Sequence, residues 1–529
     1  MSNITELNAY DTVPYPAYSF PVTHIGRLGA IGRIFGLQTA APEHARVLEL
    51  GCSSGLNTLA MAQLFPEAEF VAVDYSARQI QDAETALAST GLSNVRFIQA
   101  DISALGEDLG KFDYIIIHGI YSWVPDNVKD AIFRISRDNL KPEGVAYISY
   151  NVLPGWRMRG ALRDMMLMHT ASIKETPAKV AQGKALIKFL AESCSDESPY
   201  GKYLRQELEL LKSVDDGYIA HEFFEDENDA LYFHDFLKAV ASAELQYLGD
   251  AEPSTMILDN LPKAAADTLK SLNLNLLATE QYMDFVRNRM FRSSLLCHQG
   301  LVLSRNVDPK NLESLYVSSL VALKQPYVEG QPAILVGSGG GELNVAEPVT
   351  AHIFSRVAAL RGASKPVSEI VEETANAFAE RFADKDPAAV RADLSRLLIQ
   401  GYFKKMVDFT IGPSSCRAAA APLEQPEALP LARLQASRGQ RVSSPRLEML
   451  NTDPFVGKFI TFCDGTRDRT ALIEAMTEAL DKKEYQLNEN NQAITDPDRA
   501  RFIIEKLYDG SLENLRRLGV VLATNGRQN

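Results

Sequence analysis

The chain is short of four things, and each shortage excludes something. No apolar run approaches the ~20 residues that a membrane-crossing helix requires, and the start, MSNITELNAYD, lacks the basic and apolar regions of a secretory signal. A protein made and kept in the cytoplasm, with no membrane insertion, is the expectation. Cysteine is sparse: Cys52, Cys194, Cys297, Cys416 and Cys463 lie far apart, odd in number and without a C-x-x-C pair. That argues against a disulfide framework and a zinc knot, so no metal site is expected. Clustered basic charge is missing too. The net charge is −14 and no block of five or six Lys/Arg occurs, so the footprint of a nonspecific nucleic-acid binder is absent. A basic protein segment would meet a more favourable field. Finally, no G-x-G-x-x-G is present where a dinucleotide site would need it.

What is present suits a multidomain globular protein. A length of 529 residues exceeds one hydrophobic core, and with 46% apolar and 23% charged residues disorder is not the default reading. From Arg46 to Tyr150, short β-rich runs alternate with helical stretches: RVLELG (46–51), EFVAVD (69–74), NVRFIQ (94–99), FDYIIIH (112–118) and GVAYISY (144–150). Strands alternating with helices predict βαβ units and a parallel sheet, whose strands read as continuous apolar runs because both faces are covered. The predicted fold class is therefore α/β, doubly wound. FHDFLKAVASAELQYLGDAE (233–252) and MFRSSLLCH (290–298) are expected to add the last two strands, which makes the core discontinuous.

The remaining segments divide accordingly. Residues 1–171 hold the first part of the core behind an N-terminal segment, Tyr10 to Leu37, that begins aromatic and proline-rich, YDTVPYPAYSFPVTH (10–24), and turns helical over RLGAIGRIFGL, a lid or an entry helix. Residues 172–217 form a helical insertion whose two amphipathic helices need a partner surface, hence a homodimer. Residues 218–300 complete the core. In 301–420, AHIFSRVAALRG (351–362), VSEIVEETANAFAERF (367–382), DPAAVRADLSRLLIQG (386–401) and YFKKMVDFTI outline three helices and a hairpin, a winged-helix-like α+β unit, and 421–529 is a looser echo of it. GSGGGE (337–342) and CRAAAAPLEQPEALPLA (416–432) read as linkers by their Gly and Pro/Ala content.

The sharpest motif is Val47 to Gly55, VLELGCSSG, a strand running through a glycine turn into the helix LNTLAMAQLF. Gly51 lets backbone approach a ligand at the carboxyl end of the first strand, the usual crevice of an open α/β sheet. Asp74 ends the second strand, where a carboxylate can accept both hydroxyl hydrogens of a ribose. Asp101 closes the third, where an adenine amino group would lie. Each acid alone reads as a solvated strand end; three in register do not. Glu49, Gly51, Gly55, Asp74 and Asp101 in this order resemble the signature of class I methyltransferases that use S-adenosylmethionine and release S-adenosylhomocysteine. Cys52, Asn57, Tyr75, Gln79 and Ile102 are counted with them as cofactor-binding. His118, ending the fourth strand, is either a proton acceptor or a wall of the cofactor pocket, and is placed with the pocket.

After strand four comes HGIYSWVP (118–125). Amine-methylating members of the class often carry Asp/Asn-Pro-Pro-aromatic here. This chain is similar only in the aromatic, Tyr121, which either orients an amine or fills a gap. Longer motifs, YDTVPYPAYSFPVTH, VLELGCSSGLN, FDYIIIHGIYSWVP, YNVLPGW, HEFFEDENDALYFHDF and DFVRNRMFRSSLLCH, resemble bacterial methyltransferases with a methyltransferase regulatory domain, among them the rickettsial lysine methyltransferases that modify outer-membrane protein. The resemblance spans roughly residues 8–300 and, more weakly, the tail. It implies a class I core, an insertion used for dimerisation, and an open cleft for a lysine-bearing protein substrate. It also implies that Glu49, Gly51 and Asp74 hold the donor while Tyr15, His24, Tyr121 and Trp123 face the amine. Asn151 is a further candidate for orienting it. The expected function is protein-lysine N-methylation; a small-molecule methyltransferase and a donor-binding regulatory protein are the alternatives.

Overall fold

The computed structural model describes residue 15 and residues 17–337, 339–414, 424–489, 492–494 and 496–522. The expected lid up to position 14 and the linker cysteine Cys416 lie outside the described residues. Five strands lead: β1 (Arg46–Leu50), β2 (Glu69–Asp74), β3 (Val95–Gln99), β4 (Phe112–Ile117) and β5 (Leu140–Asn151). Later come β6 (Leu245–Asp250) and β7 (Phe291–His298). Together they form one seven-stranded sheet in the order β3-β2-β1-β4-β5-β7-β6. The first five are parallel, and β7 runs antiparallel between β5 and β6. The reversal of strand order beside β1 places a crevice above the carboxyl ends of β1 and β4.

Burial explains the sequence pattern. All six residues of the central β4 are buried, whereas the edge strand β3 is less covered: Phe97 and Ile98 pack into the cores on opposite faces, and Arg96 and Gln99 are exposed. β5 begins four residues earlier than its apolar run, through Lys141-Pro142-Glu143. Pro142 is tolerated because pairing with β7 starts only at Ala146, which leaves this stretch a single neighbour in β4 across a register shift.

The insertion consists of helices Thr176–Ser193 and Pro199–Ser213. Their apolar faces meet the flanking helices Trp156–His169 and Asp216–Phe224 in a bundle core that includes Leu162, Met166, Val180, Ile187, Leu204, Leu211, Ile219 and Phe223. The partner surface predicted for them is thus supplied by the same chain, so amphipathicity alone does not demand a second subunit.

Between residues 316 and 410, helices Pro348–Ala358, Val367–Ala377 and Pro387–Phe403 match the three expected. The expected hairpin is different. The strand after the third helix, Val407–Thr410, pairs antiparallel with an upstream strand, Tyr316–Ser319, whose other neighbour is Ser364–Pro366. The glycine stretch at 337–342 is not a linker but joins two antiparallel strands, Ala333–Val336 and Glu342–Val345. This unit shares one continuous core with the sheet through helix Ile25–Ile34, and Ile411 N donates to Gly26 O at 3.0 Å. The last region has a core of its own around Phe455, Phe459, Leu472, Ile504 and Tyr508. Ser19 Oγ reaches its Ser443 Oγ and Leu447 O, both at 3.0 Å.

Candidate active site

The crevice above the sheet opens into a cavity of about 690 Å³. One half is built from the loops that follow β1 to β4. Gly51 has φ +73°, and a Cβ there would meet Ile120 Cδ1 at 2.2 Å, so only glycine fits between the turn and that side chain. Gly51 N and Cys52 N both donate to Val73 O, at 2.8 and 3.0 Å, tying the turn to β2. Asp74 accepts Ser53 N at 2.8 Å on one oxygen and Ser76 N at 2.9 Å on the other. Ser76 in turn caps helix Ala77–Thr90 by accepting Gln79 N at 3.1 Å.

Glu49 is buried beneath the turn, where it accepts Asn57 Nδ2 at 2.8 Å and the Thr58 hydroxyl. Burial pushes its carboxyl up to about 7 despite those bonds. Asn57 Oδ1 also accepts Phe20 N at 3.0 Å and Thr23 Oγ1 at 3.1 Å, which fastens the N-terminal segment over the cavity. Asp101 caps the short turn after β3. His118 packs on Phe20 with ring centroids 3.8 Å apart and its Nδ1 lies 2.8 Å from Tyr147 Oη. Burial lowers it to about 4, so at neutral pH it is an uncharged wall rather than a matched base for an ammonium.

The predicted residues Glu49, Cys52, Asn57, Tyr75, Gln79, Asp101 and Ile102 all line this cavity, with Gly51, Asp74 and His118. Gly55 does not. It precedes helix Leu56–Ala62 at φ +74°, where a Cβ would strike the Phe97 ring at 2.5 Å. Its role is close helix-to-strand packing rather than ligand approach.

The other half of the cavity is aromatic. Tyr15, Trp123 and Asn151 line it as expected. Trp123 and Trp156 meet edge to face at 6.1 Å, Tyr15 lies 5.6 Å from the His221 ring, and Asn151 Nδ2 is buried without a hydrogen-bond partner. Two predicted residues are elsewhere. Tyr121 packs in the core below the sheet against Phe133, Phe236 and Tyr150, at 5.4, 5.5 and 6.0 Å. The reason is the 3-10 turn Tyr121–Trp123: at three residues per turn, positions i and i+3 share a side. Ile120 and Trp123 therefore face the cavity and Tyr121 faces inward. His24 caps helix Ile25–Ile34, its Nδ1 accepting Gly26 N at 3.2 Å. It belongs to a separate cavity of about 320 Å³ with Arg27, Asp408 and Arg446.

The acceptor-side residues that the sequence did not single out include Phe20, Trp156, Arg159, Tyr218, Glu222, Met290 and Phe291. Glu222 and Phe291 sit inside motifs quoted for their resemblance, HEFFEDENDALYFHDF and DFVRNRMFRSSLLCH, but no spacing marked them individually.

Comparison with known proteins agrees with this architecture. Residues 42–215 match a methyltransferase domain model, 215–298 a predicted methyltransferase regulatory domain and 424–520 the PKMT C-terminal winged helix domain. The chain is 32% identical over 524 residues to the uncharacterized protein RP789 of Rickettsia prowazekii, spanning 96% of this chain and 93% of that one. A second protein of the same organism, RP028, is 39% identical over 231 residues, 44% of this chain and 92% of its own. The solved structure of PKMT2 from Rickettsia typhi superposes with TM-score 0.83 at 29% identity, covering 96% of this chain and all of that one. A complex of that enzyme with AdoHcy gives 0.82 over the same share.

Proposed function

Because the chain belongs to the family of bacterial S-adenosylmethionine-dependent methyltransferases that carry a regulatory domain and a PKMT winged helix domain, we propose that it methylates lysine side chains of a protein. The observation that carries this reading is one continuous cavity with two chemically distinct walls, polar and strand-borne on one side, aromatic on the other.

The residues present fit the donor. The Asp74 carboxylate suits a ribose diol, Asp101 with Ile102 suits a purine, and the unpartnered Asn151 Nδ2 is a donor in want of an acceptor. When bound, S-adenosylmethionine supplies a methyl group activated by its positive sulfur.

The chain's own work is positioning and exclusion of water. A lysine has a pKa of ~10.4 and must lose a proton before its nitrogen can attack. The walls of Tyr15, Trp123, Trp156 and Tyr218 disfavour its charged form by desolvation, and their ring faces attract a methylated ammonium by about 0.5–2 kcal/mol. The chain beyond residue 300, which adds no residue to the lining of this cavity, is more than a small acceptor would need and suits a surface that holds a protein.

The same reading has the enzyme act in the cytoplasm as a homodimer. No helix among the described residues is long and apolar enough to cross a membrane, and the insertion bundle leaves Met168, Phe189 and Tyr200 exposed for a partner. Light scattering at micromolar concentration should report twice the chain mass. For the activity, the full-length protein is incubated with methyl-labelled donor and bacterial lysate, and the proteins are hydrolysed. Label is expected in N-methylated lysine. Label confined to small molecules, or to other residues, would overturn the proposal.

A further inference from the structure

The aromatic end of the cavity contains a charge imbalance. Arg159, from the helix that follows β5, makes a two-pronged contact with Glu207 of the insertion, Nε to Oε2 and Nη2 to Oε1, both at 3.2 Å. Its third contact, Nη1 to Glu222 Oε1, is longer at 3.5 Å. All three side chains are nearly buried, at 13%, 6% and 14% exposure for Arg159, Glu207 and Glu222. Two carboxylates therefore share one guanidinium. Glu207 takes the better geometry, and the uncompensated charge falls on Glu222, the carboxylate of the pair that lines the cavity.

A buried negative charge left half-paired is costly unless something completes it. Among the described residues its other neighbours do not: Tyr218 hydrogen-bonds to it and Tyr15 stands near it, both uncharged. Burial correspondingly holds its carboxyl above the usual range. Glu222, Trp123 and Trp156 line the same cavity.

We propose that Glu222 is the receptor for the cationic amine of the acceptor, and that the Glu207–Arg159 pair is a positioning device that keeps Glu222 underneutralised. This rests on the reading that the acceptor is an amine and adds how the amine is chosen. A carboxylate-bearing acceptor is disfavoured at such a site, and an alkylammonium is the group that balances it on entry; its proton then passes to the Glu222 carboxylate, which burial holds above the usual range, leaving the neutral nitrogen among the aromatic walls. It also gives the insertion and the regulatory region a direct part in substrate choice, because Glu207 and Glu222 come from them.

The two tryptophans of the chain, Trp123 and Trp156, both line this cavity, so intrinsic fluorescence reports on it without a label. Full-length protein is titrated with n-butylamine, butan-1-ol and butyrate. Saturable binding of butylammonium is expected, stronger than that of either control, and Glu222→Gln should weaken it about tenfold or more without changing the response to butanol. Glu207→Gln, outside the cavity wall, should weaken it as well, because Arg159 is then free to neutralise Glu222. Product affinity by calorimetry verifies that both variants keep the donor site. In turnover, Glu222→Gln should raise KM for the protein acceptor more than it lowers kcat. If the wild type methylates lysine but amine binding and KM are the same in Glu222→Gln, the receptor role is wrong and the lysine reading stands. If the wild type prefers butyrate and puts no methyl on lysine, both fail.

Discussion

The two halves of the cavity are assembled by different means. The donor half takes its wall from loops that follow β1 to β4 in order, within about seventy residues of chain, and they are tied to the sheet by hydrogen bonds such as those of Gly51 N and Cys52 N into Val73 O and of Gly119 N into Ser149 Oγ. The acceptor half gathers Tyr15, Trp123, Arg159, Tyr218, Glu222 and Phe291 from segments that span most of the first three hundred residues, and side chains hold it together. A site built on strand ends is rigid by construction, whereas one built from converging helices is open to alteration segment by segment.

The comparison is best broken at Asp74. On the proposed reading Asp74→Ala removes the acceptor of two ribose hydrogen bonds, each worth ~1.5–3 kcal/mol to a charged group, and it also releases Ser53 and Ser76. Donor affinity measured by calorimetry should fall about a hundredfold or more; unchanged affinity would take Asp74 out of the donor half.

Next in size is Glu49. In the unfolded chain its carboxyl has an ordinary pKa near 4.5, and burial holds it at about 7 in the fold. The folded state binds the proton more tightly, so the stabilisation is complete below about pH 4.5 and is lost as pH rises through 7. Glu49→Gln should remove about 3 kcal/mol of that decline, read as the difference between wild-type and variant denaturation midpoints from pH 4.5 to 7.5. Equal slopes would show that Glu49 is charged in the fold.

Trp123→Ala sharpens the comparison from the other side. Methyl transfer should slow about ten- to a hundredfold, or 1.4–2.8 kcal/mol. Tyr121→Phe should have the smallest effect, within about twofold in rate and in donor affinity, because its ring is sealed among Phe133, Tyr150 and Phe236. A loss of tenfold or more would return Tyr121 to the site that its sequence context suggested.

These contrasts explain what the sequence made legible. β1 to β5 stood out because strands covered on both faces carry continuous apolar runs, and Glu49, Gly51, Asp74 and Asp101 punctuate their ends. The residues named for the donor half, Gly55 excepted, therefore fall together on the wall of one cavity. Gly55 was misassigned because a glycine needed for packing against Phe97 and one needed for ligand approach look alike in sequence. Tyr121 was misassigned because two or three residues of turn geometry decide which side a ring faces, and no periodicity was available over so short a stretch. His24 followed a resemblance into a neighbouring cavity. Glu207 reads as a solvated helix position, and only the tertiary meeting with Arg159 gives it a role. The strands at 316–319 and 364–366 were too short to register against the helices beside them.

The separateness of the two halves is the central claim, and a double-mutant cycle on donor affinity tests it most directly. Calorimetry would be carried out on the wild type, Asp74→Ala, Trp123→Ala and the double variant. Independent halves predict that Trp123→Ala changes donor affinity by less than about twofold in either background, with a coupling energy below about 0.5 kcal/mol. A coupling above about 1 kcal/mol, or a loss of donor binding in Trp123→Ala comparable to that in Asp74→Ala, would contradict the account.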